Sequence, residues 1–284
     1  MADRFVTRFA PSPTGWLHRG HAFSALSAFR AAQSRAGRFI LRIEDIDATR
    51  SRPAFEDAIL ADLAWLGLAW EQPVRRQSEH MADYRAALDR LQTRGLVYRC
   101  FRTRREIAED IERAPHGAME AWRGGPLAPD DEARRLAAGE AYAWRLSLDA
   151  AARDLGGFGA LSFVERGNGP NQETGLISAR PELGGDVVLA RKDVGVAYHL
   201  AVVVDDALQE VTQVIRGQDL FEATHVQRLL QALLGLPTPT YAHHRLLLGP
   251  DGRRFAKRDR AETLRDLRAR GVTPAQLIAE LGLD

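Results

Sequence analysis

The first hundred residues carry hydrophobic patterns that alternate between strand and helix spacing. "DRFVTRFA" alternates and predicts a strand, while "HAFSALSAFRAAQSRAG" has helical spacing and ends at Gly37. "RFILRIED" predicts a buried strand that ends in acidic residues. "RPAFEDAILADLAWLGL" and "YRAALDRLQTRG" predict two more helices, and "LVYRCF" predicts another strand. This order indicates a parallel sheet covered by helices.

The middle of the chain lacks this regularity. Roughly residues 99–185 are rich in Pro, Gly and charge, which indicates an insertion. After it, "DVVLARKD", "VAYHLAVVVDD" and "VTQVIRG" predict strands, and "EATHVQRLLQALLG" predicts an amphipathic helix. The final "AETLRDLRARGVTPAQLIAELGLD" predicts two short helices.

The predicted fold class is α/β: a Rossmann-like parallel-sheet domain, split by an insertion and followed by a short helical C-terminal tail. We expect residues 1–98 to form the first half of that domain and residues 186–240 the second half. Residues 99–185 form the insertion, and residues 241–284 form a loop and the tail.

Composition narrows the protein class. The chain has 284 residues, of which 45% are hydrophobic, and a net charge of +1, which is an ordinary globular balance. The sequence has no apolar run long enough to span a bilayer, and its N-terminus lacks the apolar core of a signal peptide. We therefore expect a cytoplasmic protein without a membrane partner.

Rare residue types add two observations. Cys100 is the only cysteine, which excludes an internal disulfide and a cysteine-rich zinc site. Only Lys192 and Lys257 are lysines among 39 basic residues, a bias typical of a GC-rich genome. The two lysines stand out because Arg and Lys are not interchangeable at phosphates.

The segment "RFAPSPTGWLHRGH", from Arg8 to His21, joins the first predicted strand to the first predicted helix. A helix N-terminus offers free N–H groups to an anion, and Gly20 permits a close approach. His18 and His21 can both face such a ligand and stabilise charge on phosphate oxygens. The segment matches neither the Walker loop nor the dinucleotide fingerprint. From these residues alone, two histidines on a helix surface remain an alternative.

Four blocks, in order along the chain, resemble class I glutamyl-type aminoacyl-tRNA synthetases. The first is "RFAPSPTGWLHRGH", in which "HRGH" corresponds to the "HIGH" box of the family. "LRIEDIDATR" follows, and then "AYHLAVVVDD" with "VIRGQDL". "RRFAKRD", from Arg253 to Asp259, resembles a degenerate "KMSKS" loop. The blocks cover the predicted α/β parts of the chain.

The resemblance implies a two-step reaction. The α-carboxylate of glutamate attacks the α-phosphate of ATP to give glutamyl-adenylate, and the glutamyl group then passes to tRNA. The implied catalytic residues are His18, His21 and Lys257, and the implied ATP-binding residues are His18, Gly20, His21 and Lys257. The implied glutamate-binding residues are Arg8, Ala10, Ser12, Glu44, Tyr198 and Arg216. ATP implies Mg²⁺, which needs no dedicated protein cage.

The implied glutamate site suits the charges of its substrate. Arg8 and Arg216 can make forked contacts to carboxylates. Glu44, at the end of a predicted strand, can bind the ammonium group. Ligands of parallel-sheet folds bind at that end of the strands. Tyr198 offers a ring wall and a hydroxyl.

Chain length suggests a branch of the family. Only 25 residues follow Asp259, which leaves no room for the anticodon-binding region of a full glutamyl-tRNA synthetase. The chain therefore resembles the truncated paralogues, which attach glutamate to the queuosine base in the anticodon of tRNA(Asp). We expect L-glutamate, ATP and queuosine-containing tRNA(Asp) as partners of a monomer. Its near-neutral charge favours transient tRNA contact.

Three other functions are compatible with parts of the sequence. A truncated glutamyl-tRNA synthetase would charge a tRNA 3′ end, which the short C-terminal region disfavours. Another H-x-G-H nucleotidyltransferase is disfavoured, because such an enzyme would not need the residues that the resemblance assigns to glutamate binding. A non-catalytic tRNA-binding paralogue would tolerate the altered loop, in which Arg254 replaces the first lysine of the motif and Ala256 the serine.

The insertion departs most from the family, in which many members bind zinc there. Cys100 matches the first cysteine, but Arg102 stands at the second position, so Cys100 is the only remnant of the zinc site. We predict no zinc and expect Cys100 to be a small buried hydrophobic residue. His116, His243 and His244 are interpreted as structural or surface residues.

Overall fold

The computed structural model describes residues 5–103, 105–108, 121–191, 195–247 and 262–283. The strands are β1 (Val6–Phe9), β2 (Arg38–Ile43), β3 (Arg75–Arg76), β4 (Val97–Cys100), β5 (Ala143–Leu146), β6 (Ser162–Glu165), β7 (Gly175–Ser178), β8 (Val188–Arg191), β9 (Gly195–Val196), β10 (Gln213–Gly217) and β11 (Thr240–His244). The helices are α1 (Arg19–Gln33), α2 (Pro53–Trp65), α3 (Met81–Thr93), α4 (Pro129–Ala137), α5 (Leu148–Leu155), α6 (Tyr198–Leu208), α7 (Phe221–Leu234), α8 (Leu264–Ala269) and α9 (Pro274–Glu280).

Parallel strands form the centre of the fold. β1 pairs with β2 and β2 with β3, while β10 pairs with β11 and β11 with β6, all in parallel. The backbone N–H of Thr212 donates to the carbonyl of Val6, which places β10 beside β1. The hairpin strand β7 lies antiparallel on β6. The predicted α/β fold with a parallel sheet is confirmed.

A second, antiparallel sheet has the order β4-β5-β8-β9. β4 and β8 are strands as predicted, but the expectation that they continue the parallel sheet is wrong. Strand length and burial do not encode the direction of the partner strand, which depends on the connection. β8 belongs to this antiparallel sheet, while β6 belongs to the parallel sheet. The expected domain boundaries near residues 98, 185 and 240 stay a prediction.

One element was predicted with the wrong secondary structure. "VAYHLAVVVDD" was expected to be a strand, but Tyr198–Leu208 forms helix α6. Its residues from Leu200 to Asp206 are all buried. A short buried run cannot be assigned from periodicity, and the three consecutive valines favour a strand by local propensity.

Apolar clusters cover both faces of the parallel sheet. Along β2, Leu41 packs in the cluster that contains Leu26 of α1, while Ile40 packs in the cluster that contains Leu230 of α7. The tail helices α8 and α9 form as predicted, and Leu267 of α8 packs in the α1 cluster. Within the ranges described, no helix combines the length and apolar character needed to cross a membrane.

Candidate active site

A cavity of about 1020 Å³ lies where the carboxyl ends of β1, β2 and β10 meet the N-termini of α1 and α6. Nine predicted site residues line it: Arg8, Ala10, Ser12, His18, Gly20, His21, Glu44, Tyr198 and Arg216. Lys257 lies outside the described residues. The structure thus brings together nine residues that are spread over more than 200 positions of the chain, and their individual roles stay a prediction.

The two histidines of the "HRGH" box cap helix α1. His18 Nδ1 accepts the backbone N–H of Gly20 at 3.1 Å, and His21 Nδ1 accepts the backbone N–H of His18 at 3.2 Å. A Cβ at position 20 would lie 3.0 Å from His18 Cε1, so glycine leaves room for this ring. The first turn of α1 contains no acidic residue. This helix end therefore favours an anion in the cavity.

Arg8 lies in a buried ionic network beneath the cavity. Its guanidinium donates through Nε and Nη2 to the carboxylate of Asp206, at 3.1 and 3.3 Å. Arg42 donates through Nη1 to Asp206 at 2.8 Å and through Nη2 to Glu44 at 3.2 Å. Burial favours protonated Asp206, but the charges of Arg8 and Arg42 outweigh it and lower its pKa. Burial raises the pKa of Glu44, and the charge of Arg42 opposes this shift.

The network continues away from the cavity through Asp205, which is fully buried. Asp205 accepts hydrogen bonds from Arg75 at 2.7 Å, from Gln77 at 2.8 Å and from the Tyr84 hydroxyl at 2.9 Å. The acid pair at the end of α6 therefore fastens this helix to β1, β2 and β3. Sequence reasoning missed Arg42, Asp205 and Asp206, although all of them lie within quoted family blocks.

Arg216 of β10 differs from Arg8 in its partners. It is 5% exposed and donates through Nη1 to the Tyr198 hydroxyl at 3.2 Å and through Nη2 to Thr224 Oγ1 at 2.7 Å. Its Nε donates to Nε2 of His243 at 3.1 Å. Among the described residues, no carboxylate forms an ion pair with this guanidinium. A buried cation without an anion is costly, so the site favours a ligand that brings a negative charge.

His199 adds a neutral polar group to the cavity. Its Nδ1 is buried and has no hydrogen-bond partner within the described ranges. Burial, reinforced by the charge of Arg216, lowers the pKa of His199 to about 4. His199 was not among the predicted site residues. Its position next to Tyr198 in the family block "AYHLAVVVDD" could have indicated it.

Of the three histidines interpreted as structural or surface residues, His243 is buried beneath Arg216. His244 lines the cavity, where its Nε2 lies 2.8 Å from Ser24 Oγ. His116 lies outside the described residues.

The antiparallel sheet holds the remnant of the family's zinc site. Cys100 is 6% exposed and clusters with Tyr98, Ile107 and Trp122, which confirms its expected burial as a small hydrophobic residue. Across the described part of the chain, no three His, Cys, Asp or Glu side chains are grouped to hold a metal. Because residues 109–120 lie outside that part, the expected absence of zinc stays a prediction.

Comparisons with known proteins identify the family of this chain. The family model of class I tRNA synthetases (E and Q), catalytic domain, matches residues 4–153 and 170–283. The chain is 47% identical to the glutamyl-Q tRNA(Asp) synthetase of Rhodobacter capsulatus, over 98% of this chain and all of that protein. It is 44% identical to the glutamyl-Q tRNA(Asp) synthetase of Nocardia farcinica, over 96% of this chain and 82% of that protein.

Solved structures show the same architecture. A glutamate tRNA ligase from Elizabethkingia meningosepticum, in complex with its amino acid, matches 90% of this chain at a TM-score of 0.74 and 28% identity. The glutamate-tRNA synthetase of Elizabethkingia anophelis matches with a TM-score of 0.75 and 27% identity. The chain spans 52% and 53% of those two proteins, about half of each. By the family match and the identities, the chain belongs to the class I tRNA synthetases of the glutamyl and glutaminyl type.

Proposed function

We propose that this enzyme activates L-glutamate with ATP as glutamyl-adenylate and transfers the glutamyl group to the queuosine base in the anticodon of tRNA(Asp). The observation that carries the proposal is Arg216, a buried guanidinium on the cavity with no carboxylate partner among the described residues. The names of the relatives from Rhodobacter capsulatus and Nocardia farcinica support the choice of acceptor.

Glutamate has two carboxylates and one ammonium group, and the cavity has matching charges. Arg216 binds one carboxylate, because its positive charge is not shared with a protein anion. Arg8 binds the other, with Asp206 holding its guanidinium in place. Glu44 takes the ammonium group, and Arg42 donates to its carboxylate through Nη2 at 3.2 Å. A neutral amide in place of the side-chain carboxylate would bring one negative charge fewer to the two guanidinium groups, which disfavours glutamine.

The ATP phosphates lie at the N-terminus of α1. In the first step, the α-carboxylate oxygen bonds to the α-phosphorus while the bond to pyrophosphate breaks. His18 and His21 stabilise charge on the phosphate oxygens, and Lys257 is assigned to the departing pyrophosphate by resemblance. The protein mainly aligns two anions that repel each other. Mg²⁺ arrives with the nucleotide, since it is usually bound through phosphates and one or two carboxylates.

In the second step, a hydroxyl of the queuosine cyclopentene ring attacks the activated carbonyl and AMP leaves. The cavity of about 1020 Å³ lies at the upper end of the range for single small ligands, which suits a site that receives several groups. Since both ATP and tRNA are cytoplasmic, we place the reaction in the cytoplasm.

ATP–pyrophosphate exchange tests the activation step. We expect exchange with glutamate and far less with glutamine or aspartate. Arg216→Gln should abolish most of it by leaving the substrate carboxylate without its cation, whereas Arg134→Gln, on the exposed face of α4, should have no effect. Exchange that prefers glutamine, or no exchange with any amino acid, would overturn the proposal.

A further inference from the structure

We propose that Glu165 and His243 are positioning residues that fix the direction of the Arg216 guanidinium by locking one tautomer of the imidazole. The inference rests on the proposed function, in which Arg216 binds a carboxylate of the substrate. Neither residue lines the cavity, so both act through Arg216 rather than on the substrate.

Three neighbouring parallel strands bring these side chains into line. Arg216 of β10 and His243 of β11 are directly paired in register. Glu165 is the last residue of β6, which pairs with β11 on the side opposite β10. His243 Nδ1 lies 2.6 Å from Glu165 Oε2, and His243 Nε2 lies 3.1 Å from Arg216 Nε. The side chains of His243 and Glu165 are fully buried, so water does not compete for these bonds.

The directions of these hydrogen bonds follow from chemistry. A guanidinium only donates, so Nε2 of His243 must accept from Arg216. The ring proton is therefore on Nδ1, where the Glu165 carboxylate accepts it. Glu165 is itself fixed, because its Oε1 accepts the backbone N–H groups of His243 and Gly167, each at 2.8 Å.

The neutral ring between the two charges has a consequence for binding. Asp206 contacts Arg8 directly and offsets its charge. Glu165 is separated from Arg216 by an imidazole, which accepts from the guanidinium without neutralising it. Arg216 is thus oriented and keeps its positive charge for a ligand. A purely structural role for the pair would give no such link to glutamate affinity.

Glu165→Gln tests the tautomer lock. The two backbone N–H groups at Oε1 hold the amide oxygen of the new side chain, which turns its NH₂ group toward Nδ1 of His243. The ring proton then moves to Nε2, where it opposes the N–H of Arg216. We expect the KM for glutamate in ATP–pyrophosphate exchange to rise about 10-fold, with the KM for ATP unchanged. The ¹⁵N NMR spectrum of histidine-labelled protein should show His243 changing from Nδ1–H to Nε2–H.

Asp186→Asn is the matched control. Asp186 is also a buried carboxylate that accepts two backbone N–H groups, those of Gly124 and Leu148, together with the Tyr98 hydroxyl. It lies outside the cavity lining. This variant should lose stability without a selective change in the KM for glutamate.

A second pair of variants covers the case in which Glu165→Gln does not fold. His243→Gln keeps an acceptor for Arg216 and a donor for Glu165, whereas His243→Leu keeps neither. We expect the KM for glutamate of His243→Gln to stay close to that of the wild type. The KM for glutamate of His243→Leu should be higher.

The outcomes separate this inference from the proposed function. An unchanged KM for glutamate in Glu165→Gln, or equal increases for glutamate and ATP, would overturn the positioning role. If wild-type protein shows no glutamate-dependent exchange, the proposed function fails. The NMR measurement on wild-type protein then still decides the tautomer lock, which an Nε2–H ring at His243 would contradict.

Discussion

Arg8 donates to Asp206 through two nitrogens, at 3.1 and 3.3 Å, and so joins β1 to the C-terminal part of α6. The contact is buried, and Arg42 binds the same carboxylate from β2. Asp206 therefore holds the Arg8 cation at the cavity from a position outside the cavity lining.

Asp206→Asn should weaken both stability and glutamate binding. The substitution removes the anion shared by two buried guanidinium groups, and breaking a buried ion pair from one side costs about 3 kcal/mol or more. We expect a loss of that size in the free energy of unfolding, measured by urea denaturation, together with a higher KM for glutamate in ATP–pyrophosphate exchange.

Asp131→Asn provides the comparison, since Asp131 pairs with Arg134 on an exposed helix face. Exposed pairs contribute little, so this variant should unfold like the wild type. If both variants lost the same stability, the buried network would not have the importance assigned to it.

Tyr198→Phe should impair binding with little effect on folding. The Tyr198 hydroxyl accepts from Arg216 Nη1 at 3.2 Å, while its ring packs beside the larger apolar cluster. Losing one hydrogen bond to a charged group should raise the KM for glutamate about 10-fold. Tyr142→Phe, in the insertion and outside the cavity lining, should leave that KM unchanged. A normal KM in Tyr198→Phe would remove Tyr198 from the glutamate site.

The sequence predicted the strands β1, β2 and β10 and helix α1 because hydrophobic spacing is a local property of the chain. These elements carry Arg8, His18, His21 and Arg216, and the family blocks completed the set. The structure then placed these residues on one cavity.

The side chains beneath the cavity were not predicted, for physical reasons. Buried α6 lacks a polar face, so its periodicity does not distinguish a helix from a strand. Reading it as a strand hid the inward direction of Asp205 and Asp206. His243 contacts Arg216 only because β10 and β11 pair in one register, which their separate sequences do not specify.

Acidic solution should destabilise the protein through His199. Its pKa falls from 6.5 to about 4 on folding, so between these pH values the unfolded chain binds a proton that the folded protein does not. Stability is therefore lost as the pH decreases below 6.5, by about 2 kcal/mol at about pH 5 from this residue.

His199→Asn cannot titrate in this range and should lose less stability than the wild type between about pH 7 and about pH 5, measured by urea unfolding. Some loss remains, because burial also lowers the pKa values of His225, His243 and His244. If the wild type and the variant lost the same stability over this pH range, His199 would not titrate as assigned.

Zinc should not be required for the antiparallel sheet. Elemental analysis of purified protein should find far less than one zinc per chain, and a chelator should leave thermal unfolding unchanged. Cys100→Ala should lower stability by about 1 kcal/mol through lost packing alone. Stoichiometric zinc that is lost in Cys100→Ala would contradict this prediction and reveal ligands among other residues.

The most direct test of the central claim is the transfer of labelled glutamate, in the presence of ATP, to total tRNA from cells that contain queuosine and from cells that lack it. We predict label on the queuosine-containing tRNA alone, recovered in tRNA(Asp). Equal labelling of both tRNA pools would contradict this account and indicate charging of a tRNA 3′ end.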